Sequence, residues 1–461
     1  MENIDKRFQR MTETPIPKLV CTLAVPSMIS MIITSIYNMA DTFFVGQIST
    51  SASAAVGVSF SLMALVQAIG FTFGMGSGNY IARLLGQQKT EEASKVAATS
   101  FFTTLGLGTI LAVLGLIFLD PLVRMLGATP TNLPYAKDYV RYILLGVPFM
   151  TSSYVINNIL RFQGSAYYSM FGIGLGGILN IVLDPLFIFN LNMGTGGAGL
   201  ATSISQFVSF IVLIFASGKG GNIKIDIKKF TPEWAIYKEV LRTGLPSFYR
   251  QGLASIATIC LNFSAGPYGD AAIAAMSIVT RVFQFAVSML LGFGQGFQPV
   301  CGFNYGAKLY NRVLSAFWFC IKTATLVLVA IGIIGFIFAP NIVSIFRKDD
   351  LEVIAIGTTA LRLQCITFPL SSWIVINNML LQTIGKSKEA SVLALARQGL
   401  FFLPVVLVLP LLLGILGIQL SQPIADLATF ILAIPMGIRV LDELKHIQKV
   451  QDELHTGKVT M

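Results

Sequence analysis

Long apolar runs and short polar breaks alternate along this chain. The runs match the roughly 20 residues a helix needs to cross the hydrocarbon of a bilayer. They predict twelve spans, at residues 18–46, 53–82, 95–119, 137–160, 167–190, 197–217, 240–264, 271–299, 313–339, 353–383, 389–413 and 416–438. No long series of alternating ten-residue segments is present, which excludes a barrel and leaves helices to satisfy the backbone in lipid. Prolines at 26, 148, 246, 369, 404 and 435 fall inside these runs and predict interrupted helices, because proline has no N–H to donate.

The pattern repeats. Val155-Ile156-Asn157-Asn158 recurs as Val375-Ile376-Asn377-Asn378, an offset of 220 residues (375 − 155). The same offset sets Val25-Pro26-Ser27 against Leu245-Pro246-Ser247, Gly74 and Gly76 against Gly294 and Gly296, and Gly86 against Gly306. Six spans per copy is an even number, so both copies enter the membrane in the same direction. The expected fold is an all-α polytopic membrane protein, with twelve transmembrane helices in two six-helix bundles related by a parallel internal repeat. The expected divisions are a first bundle over 1–217, a cytoplasmic linker over 218–235, a second bundle over 236–440 and a cytoplasmic tail over 441–461. Between such bundles a cleft is expected.

Composition agrees, with 54% hydrophobic and 12% charged residues. The distribution of charge adds an orientation. Lys and Arg crowd the span ends on the side of the N-terminus, among them Lys6, Arg7, Arg10, Arg83, Lys89, Arg161, Lys228, Lys229, Arg312, Lys386 and Arg439. Only Arg124, Lys137, Arg141, Arg347 and Lys348 lie opposite. Both termini are therefore expected in the cytoplasm, in a multi-pass protein of the cell membrane. The net charge of +10 follows from this bias and calls for no nucleic-acid partner. Cys21, Cys260, Cys301, Cys320 and Cys365 lack pair spacing and read as small apolar residues. The first span is too long for a signal-peptide core and is expected to remain.

The informative residues are polar ones inside apolar runs. Asp41 closes a stripe of Ser30, Thr34 and Tyr37, spaced by four, three and four along one helix face. Asp184 has Asn180 one turn earlier on its face, and Pro185 beside it leaves the Ile181 carbonyl without its usual donor. A carboxylate, an amide oxygen and a loose carbonyl suit a proton or a small cation. A carboxylate at the bilayer centre costs about 2.5–3.5 kcal/mol on insertion scales, and a scaffold has no need of two. The repeat sets Asp41 against Leu261 and Asp184 against Pro404, so this chemistry is confined to the first copy. Gln67, Asn157, Asn158, Thr202 and Gln206 suit either a cavity lining or helix-to-helix hydrogen bonds. In the second copy Arg250, Arg281, Lys322, Arg362 and Arg397 suit snorkelling, pairing or an electropositive cleft, and Asp426 is a partner for one of them.

Other chemistry is limited. His446 and His455, the only histidines, lie near the C-terminus, which argues against a His-based enzyme or metal site in the membrane. Gly385-Lys386-Ser387 has the end of a phosphate-binding loop, but Leu380 stands where its first glycine belongs.

The segments NMADTFFVG (38–46), LNIVLDP (179–185) and GAGLATS (197–203), with the repeated VINN, resemble the multidrug and toxic compound extrusion (MATE) family in its bacterial DinF/MepA-like branch. The resemblance spans essentially the whole chain. It implies an outward-opening V of two bundles that exports cationic amphiphilic drugs in exchange for protons or sodium ions, by alternating access. It implies that Asp41, Asn180, Asp184 and Thr202 form the ion-coupling site, with a metal ion there only if sodium is the coupling ion. Pro26 is implied as the point where the first helix bends. A second carboxylate site known from another branch has no Asp or Glu here in the seventh and tenth spans. Tyr37, Asn38, Gln67, Asn157, Asn158 and Gln206 are the substrate-cavity candidates. The expected protein is thus no enzyme and needs no cofactor; it works as a monomer in the lipid bilayer, with H+ or Na+ as coupling ion. Two alternatives stand beside this: an exporter or flippase of an anionic metabolite or lipid-linked precursor using the second-copy arginines, and a membrane scaffold.

Overall fold

The computed structural model describes residues 2–347 and 350–455, so Lys348 of the orientation argument and residues 456–461 of the tail lie outside the described residues. All regular structure among the described residues is helical. A short charged helix, α1 (Glu2–Glu13), precedes the first bundle. That bundle comprises α2 (Ile16–Gly46), α3 (Thr50–Gly86), α4 (Thr90–Ile117), the short α5 (Leu119–Met125), α6 (Leu133–Phe162), α7 (Ala166–Pro185) and α8 (Gly194–Ser217). The second comprises α9 (Trp234–Ala265), α10 (Asp270–Gly306), α11 (Tyr310–Ile337), the short α12 (Ala339–Phe346), α13 (Leu351–Thr383), α14 (Ser387–Leu395), α15 (Leu403–Leu413) and α16 (Ile415–His455).

The repeat is geometric as well as sequential. α3 and α10 begin and end 220 residues apart (270 − 50, 306 − 86), and so do α4 and α11 (310 − 90, 337 − 117). After α3 and α10 the chain turns through the left-handed region at Gln88 and Lys308, both at φ 61° and again 220 apart. Eleven helical stretches are long and apolar enough to cross a membrane among the described residues. The twelfth, α9, has 32 residues and is long enough, but its sequence includes Lys238, Glu239, Arg242 and Arg250.

Several elements depart from the expected bounds. α10 runs on to Gly306 rather than stopping near 299, because Gln298, Asn304 and the glycines after them are buried against the first bundle instead of forming a loop. α16 continues from the last span to His455: Val440, Leu441 and Leu444 make a buried face, so the segment after 440 is helical over its described length. α2, α6, α9, α13 and α16 continue as α-helix through Pro26, Pro148, Pro246, Pro369 and Pro435. Wide π-helical turns occur instead beside Pro185 (Leu186–Asn190) and before Pro404 (Ala396–Phe402).

The two halves meet through backbones brought unusually close. A methyl group on Gly86 would lie 2.1 Å from the Phe303 carbonyl oxygen, and one on Gly306 would lie 2.1 Å from that of Arg83, the same contact made twice across the repeat. Gly76 likewise abuts the Val240 carbonyl and Gly244 that of Thr72. These contacts gather toward the end of the helices that carries α1 and the C-terminal part of α16. There the Arg83 guanidinium pairs with Glu239 at 2.6 Å, and Thr383 donates to Asn79 Oδ1 at 2.7 Å. Arg161 donates to Gln295 and Gln251 to Gln67 across the halves farther along; past Gln67 and Gln251, toward the opposite ends of the helices, no side-chain hydrogen bond joins the halves among the described residues. At that opposite end Arg124 and Lys137 both bond Asp120 at 2.8 Å and hold its carboxyl down to about 2.

Candidate functional site

In the first half, α7 is drawn against α2 because Gly174 and Gly177 leave room for Ile33 and Tyr37, and against α8 because Gly176 leaves room for Ser205 and Ser209. This packing sets three helices around one polar cluster. Asn180 and Asp184, four residues apart in α7, share a face: the Asn180 amide donates to Asp184 Oδ1 at 3.1 Å and to Thr202 Oγ1 of α8 at 3.3 Å. Asp41 of α2 accepts from the Tyr139 hydroxyl of α6 at 3.4 Å. Tyr139 lies within the electrostatic reach of both carboxylates.

The cluster is buried and short of donors. Asp41 and Asn180 are buried, and Asp184 is 0% exposed. Asp41 Oδ1, Asn180 Oδ1 and Asp184 Oδ2 have no hydrogen-bond partner. All three are acceptors, and no Lys or Arg forms an ion pair with either carboxylate among the described residues. Buried polar atoms are nearly always satisfied, so three orphan acceptors in one cluster mark a place suited to a proton or a small cation. Among the described residues no group of three or more His, Cys, Asp or Glu could hold a metal ion, so any cation here would rely on the Asn180 and Thr202 oxygens as well.

Beside this cluster a cavity of about 350 Å³ opens between the halves. The α2 stripe divides around it: Ser30 and Thr34 reach the cavity, as does neighbouring Asn38, whereas Tyr37 and Asp41 are buried and line no part of it. Gln67 and Asn157 line it too, with Gln67 accepting from Gln251 at 2.7 Å and Asn157 donating to Ser169 Oγ at 2.5 Å. Gln206 is placed beside Tyr37, away from the cavity wall. Asn158 is fully buried and clasps the helix, donating to the Tyr154 carbonyl and accepting from Arg161.

The second-half cations separate into groups. Arg250 and Arg281 line the cavity. Arg397 bonds Asp426 at 2.8 Å and Ser371 at 3.0 Å, while Gln364 and Gln422 complete the Asp426 shell at 3.0 and 2.9 Å. Arg362 donates to the Phe336 carbonyl and lies over its ring, and Lys322 is exposed. Sequence reasoning missed two residues. Arg161, counted among the basic residues of the span ends, enters the cavity wall; its position three and four residues after Asn158 and Asn157 puts it on their face and was the available signal. Tyr139 carried no such signal, because a tyrosine in an apolar run has many uses.

Comparison with known proteins agrees with this architecture. The family model described as MatE matches residues 26–186 and again 246–408, once in each half. The chain is 28% identical over 431 residues to the multidrug export protein MepA of Staphylococcus haemolyticus, covering 93% of this chain and 95% of that one. Among solved structures, an outward-facing conformation of a multidrug resistance MATE family transporter of the MOP superfamily superposes with a TM-score of 0.89 at 28% identity, over 96% of this chain and 99% of that one. A MOP superfamily transporter from Pyrococcus furiosus, described as having a binding pocket of reverse polarity that suggests a different function, superposes with a TM-score of 0.87 at 28% identity, over 95% of this chain and 99% of that one.

Proposed function

Because the chain belongs to the multidrug and toxic compound extrusion family, we propose that it is a secondary active exporter of amphiphilic small molecules, driven by protons or sodium ions through alternating access. The observation that carries the proposal is the trio of unpartnered acceptors on Asp41, Asn180 and Asp184. Asp41 and Asp184 take the coupling ion, Asn180 and Thr202 supply neutral oxygens, and Tyr139 orients Asp41. α2 transmits the event, since it carries Asp41 on one side and the cavity residues Thr34 and Asn38 on the other. Neutralising either carboxylate weakens their mutual repulsion and lets α2 repack against α7. Pro26, whose ring nitrogen has no hydrogen to give the Thr22 carbonyl, is where α2 bends as it does so. The protein sits in the cell membrane with both termini in the cytoplasm, acts as a monomer and needs no cofactor. One charge crossing about 100 mV supplies roughly 2.3 kcal/mol, enough for about a fiftyfold gradient of a neutral substrate.

The family resemblance implies cationic substrates. The arginines in the cavity favour the second reading, in which the exported amphiphile is an anion. Either reading is tested with purified protein in liposomes, using carboxyfluorescein as an anionic dye and rhodamine 123 as a cationic one. Separately imposed pH and sodium gradients should drive efflux of one dye, and Asp41→Asn and Asp184→Asn should each reduce it to the protein-free leak. Gradient-independent efflux, or full activity in both variants, would remove the coupling site.

A further inference from the structure

We infer that the central cavity selects an amphiphilic organic anion, carboxylate or phosphate in its head group, which Arg161, Arg250 and Arg281 hold. This rests on reading the cavity as a transporter's substrate site. Among the described residues the three arginines are the only charged side chains in its wall, and no Asp or Glu lines it. Arg161 is 3% exposed, yet all its partners are neutral: Gln295 Oε1 at 2.7 Å, Asn158 Oδ1 at 2.5 Å and Met75 Sδ at 3.1 Å, with Nε unpartnered. These contacts aim the guanidinium without neutralising it. Neither Arg250 nor Arg281 forms an ion pair among the described residues.

The same protein shows what a neutralised arginine in its membrane helices looks like. Arg397 has Asp426, and it lines no part of this cavity. A buried charge without a partner of opposite sign is costly to retain, and Arg161 is one, so its presence in the wall points to a ligand of opposite sign. Guanidinium forks match carboxylate and phosphate oxygens in pairs, and a permanent cation in the same space would meet three like charges. The rest of the wall suits an apolar body: Phe71 and Tyr154 lie with ring centroids 5.0 Å apart, and Phe285 and Leu291 face the cavity from the second half. A volume of about 350 Å³ fits a molecule of drug size. Asp41 and Asp184 stand outside this wall, so the ion site and the anion site are separate and opposite in sign.

The test is equilibrium binding of carboxyfluorescein and rhodamine 123 to the purified full-length protein in detergent, read by fluorescence polarisation. These dyes share a xanthene ring system and differ in charge. Wild type should bind carboxyfluorescein more tightly than rhodamine 123. Arg250→Gln and Arg281→Gln should each weaken carboxyfluorescein by about tenfold or more, and Arg250→Lys should restore part of the loss. Arg281 is exposed, so its variant keeps the test sound if Arg250→Gln fails to fold. Tighter binding of rhodamine 123, no binding of carboxyfluorescein, or carboxyfluorescein affinity unchanged in both Gln variants would overturn the inference. The two readings fail separately. Carboxyfluorescein bound but moved by no gradient defeats ion-coupled export and leaves the anion site standing. Gradient-driven efflux of rhodamine 123 without carboxyfluorescein binding does the reverse.

Discussion

Asp184 and Asp426 are both 0% exposed within membrane helices, and their surroundings set them apart. Asp426 has a guanidinium and two glutamine amides, whereas Asp184 has one asparagine amide and an oxygen with no partner. Removing one partner of a buried ion pair leaves the other charge stranded, at a cost of about 3–5 kcal/mol, while replacing both with apolar residues is often neutral. Arg397→Leu should therefore lower the thermal unfolding midpoint in detergent sharply, and the double variant Arg397→Leu/Asp426→Leu should recover most of the loss. Asp184→Asn should leave the midpoint near wild type, since no ion pair is lost. At this scale the sequence was informative where polar residues interrupt an apolar run at helical spacing, as Asn180 and Asp184 do. It was silent on partners. Nothing at position 397 distinguishes a paired arginine from the cavity arginine at 250, because the difference lies in what a distant helix brings alongside.

The helices behave as two-sided elements. α7 presents Gly174 and Gly177 to α2, and Gly172 and Gly176 to α8, so the cluster exists because four positions lack a side chain. Between the halves the same device operates at Gly86 and Gly306, where a methyl group would press on a backbone carbonyl that has no flexible end to yield. Gly86→Ala or Gly306→Ala should push α3 and α10 apart. The readout is alkylation of Cys301, which lies on α10 and is fully buried. Its rate, followed by mass spectrometry, should rise by roughly tenfold for an opening made about 1.4 kcal/mol easier; an unchanged rate would mean that the contact does not seal this end. Helix existence was legible from apolar run length. Helix ends were not, since the buried polar residues at the end of α10 look like a loop until a second backbone is packed on them.

In the whole molecule, duplication has produced two bundles of one shape and different chemistry. The first keeps carboxylates without cationic partners, and the second keeps arginines, one neutralised and two facing the cavity. The repeat and the twelve spans could be read from the chain because both are periodic. A cleft was expected between the bundles, and of its expected residues Asn38, Gln67 and Asn157 line the cavity; the full wall could not be read, because it is assembled from residues of both halves whose spacing carries no signal. The closest backbone contacts and the Arg83–Glu239 pair hold the halves together toward one end; under the proposed exchange this is one of two arrangements, and an ion at Asp41 and Asp184 would choose between them.

Spin labels at the exposed positions of Met125→Cys on α5 and Ile345→Cys on α12, in a background with the five native cysteines replaced by alanine, would report that choice as a distance across the two halves. These sites are 220 residues apart and stand at equivalent places in the repeat (345 − 125). Double electron–electron resonance on protein in lipid nanodiscs should show a shift in the distance distribution when pH is lowered or sodium is added, and no shift in Asp41→Asn/Asp184→Asn. A shift that persists in that variant, or none in wild type with either ion, would contradict coupling through the first-half carboxylates.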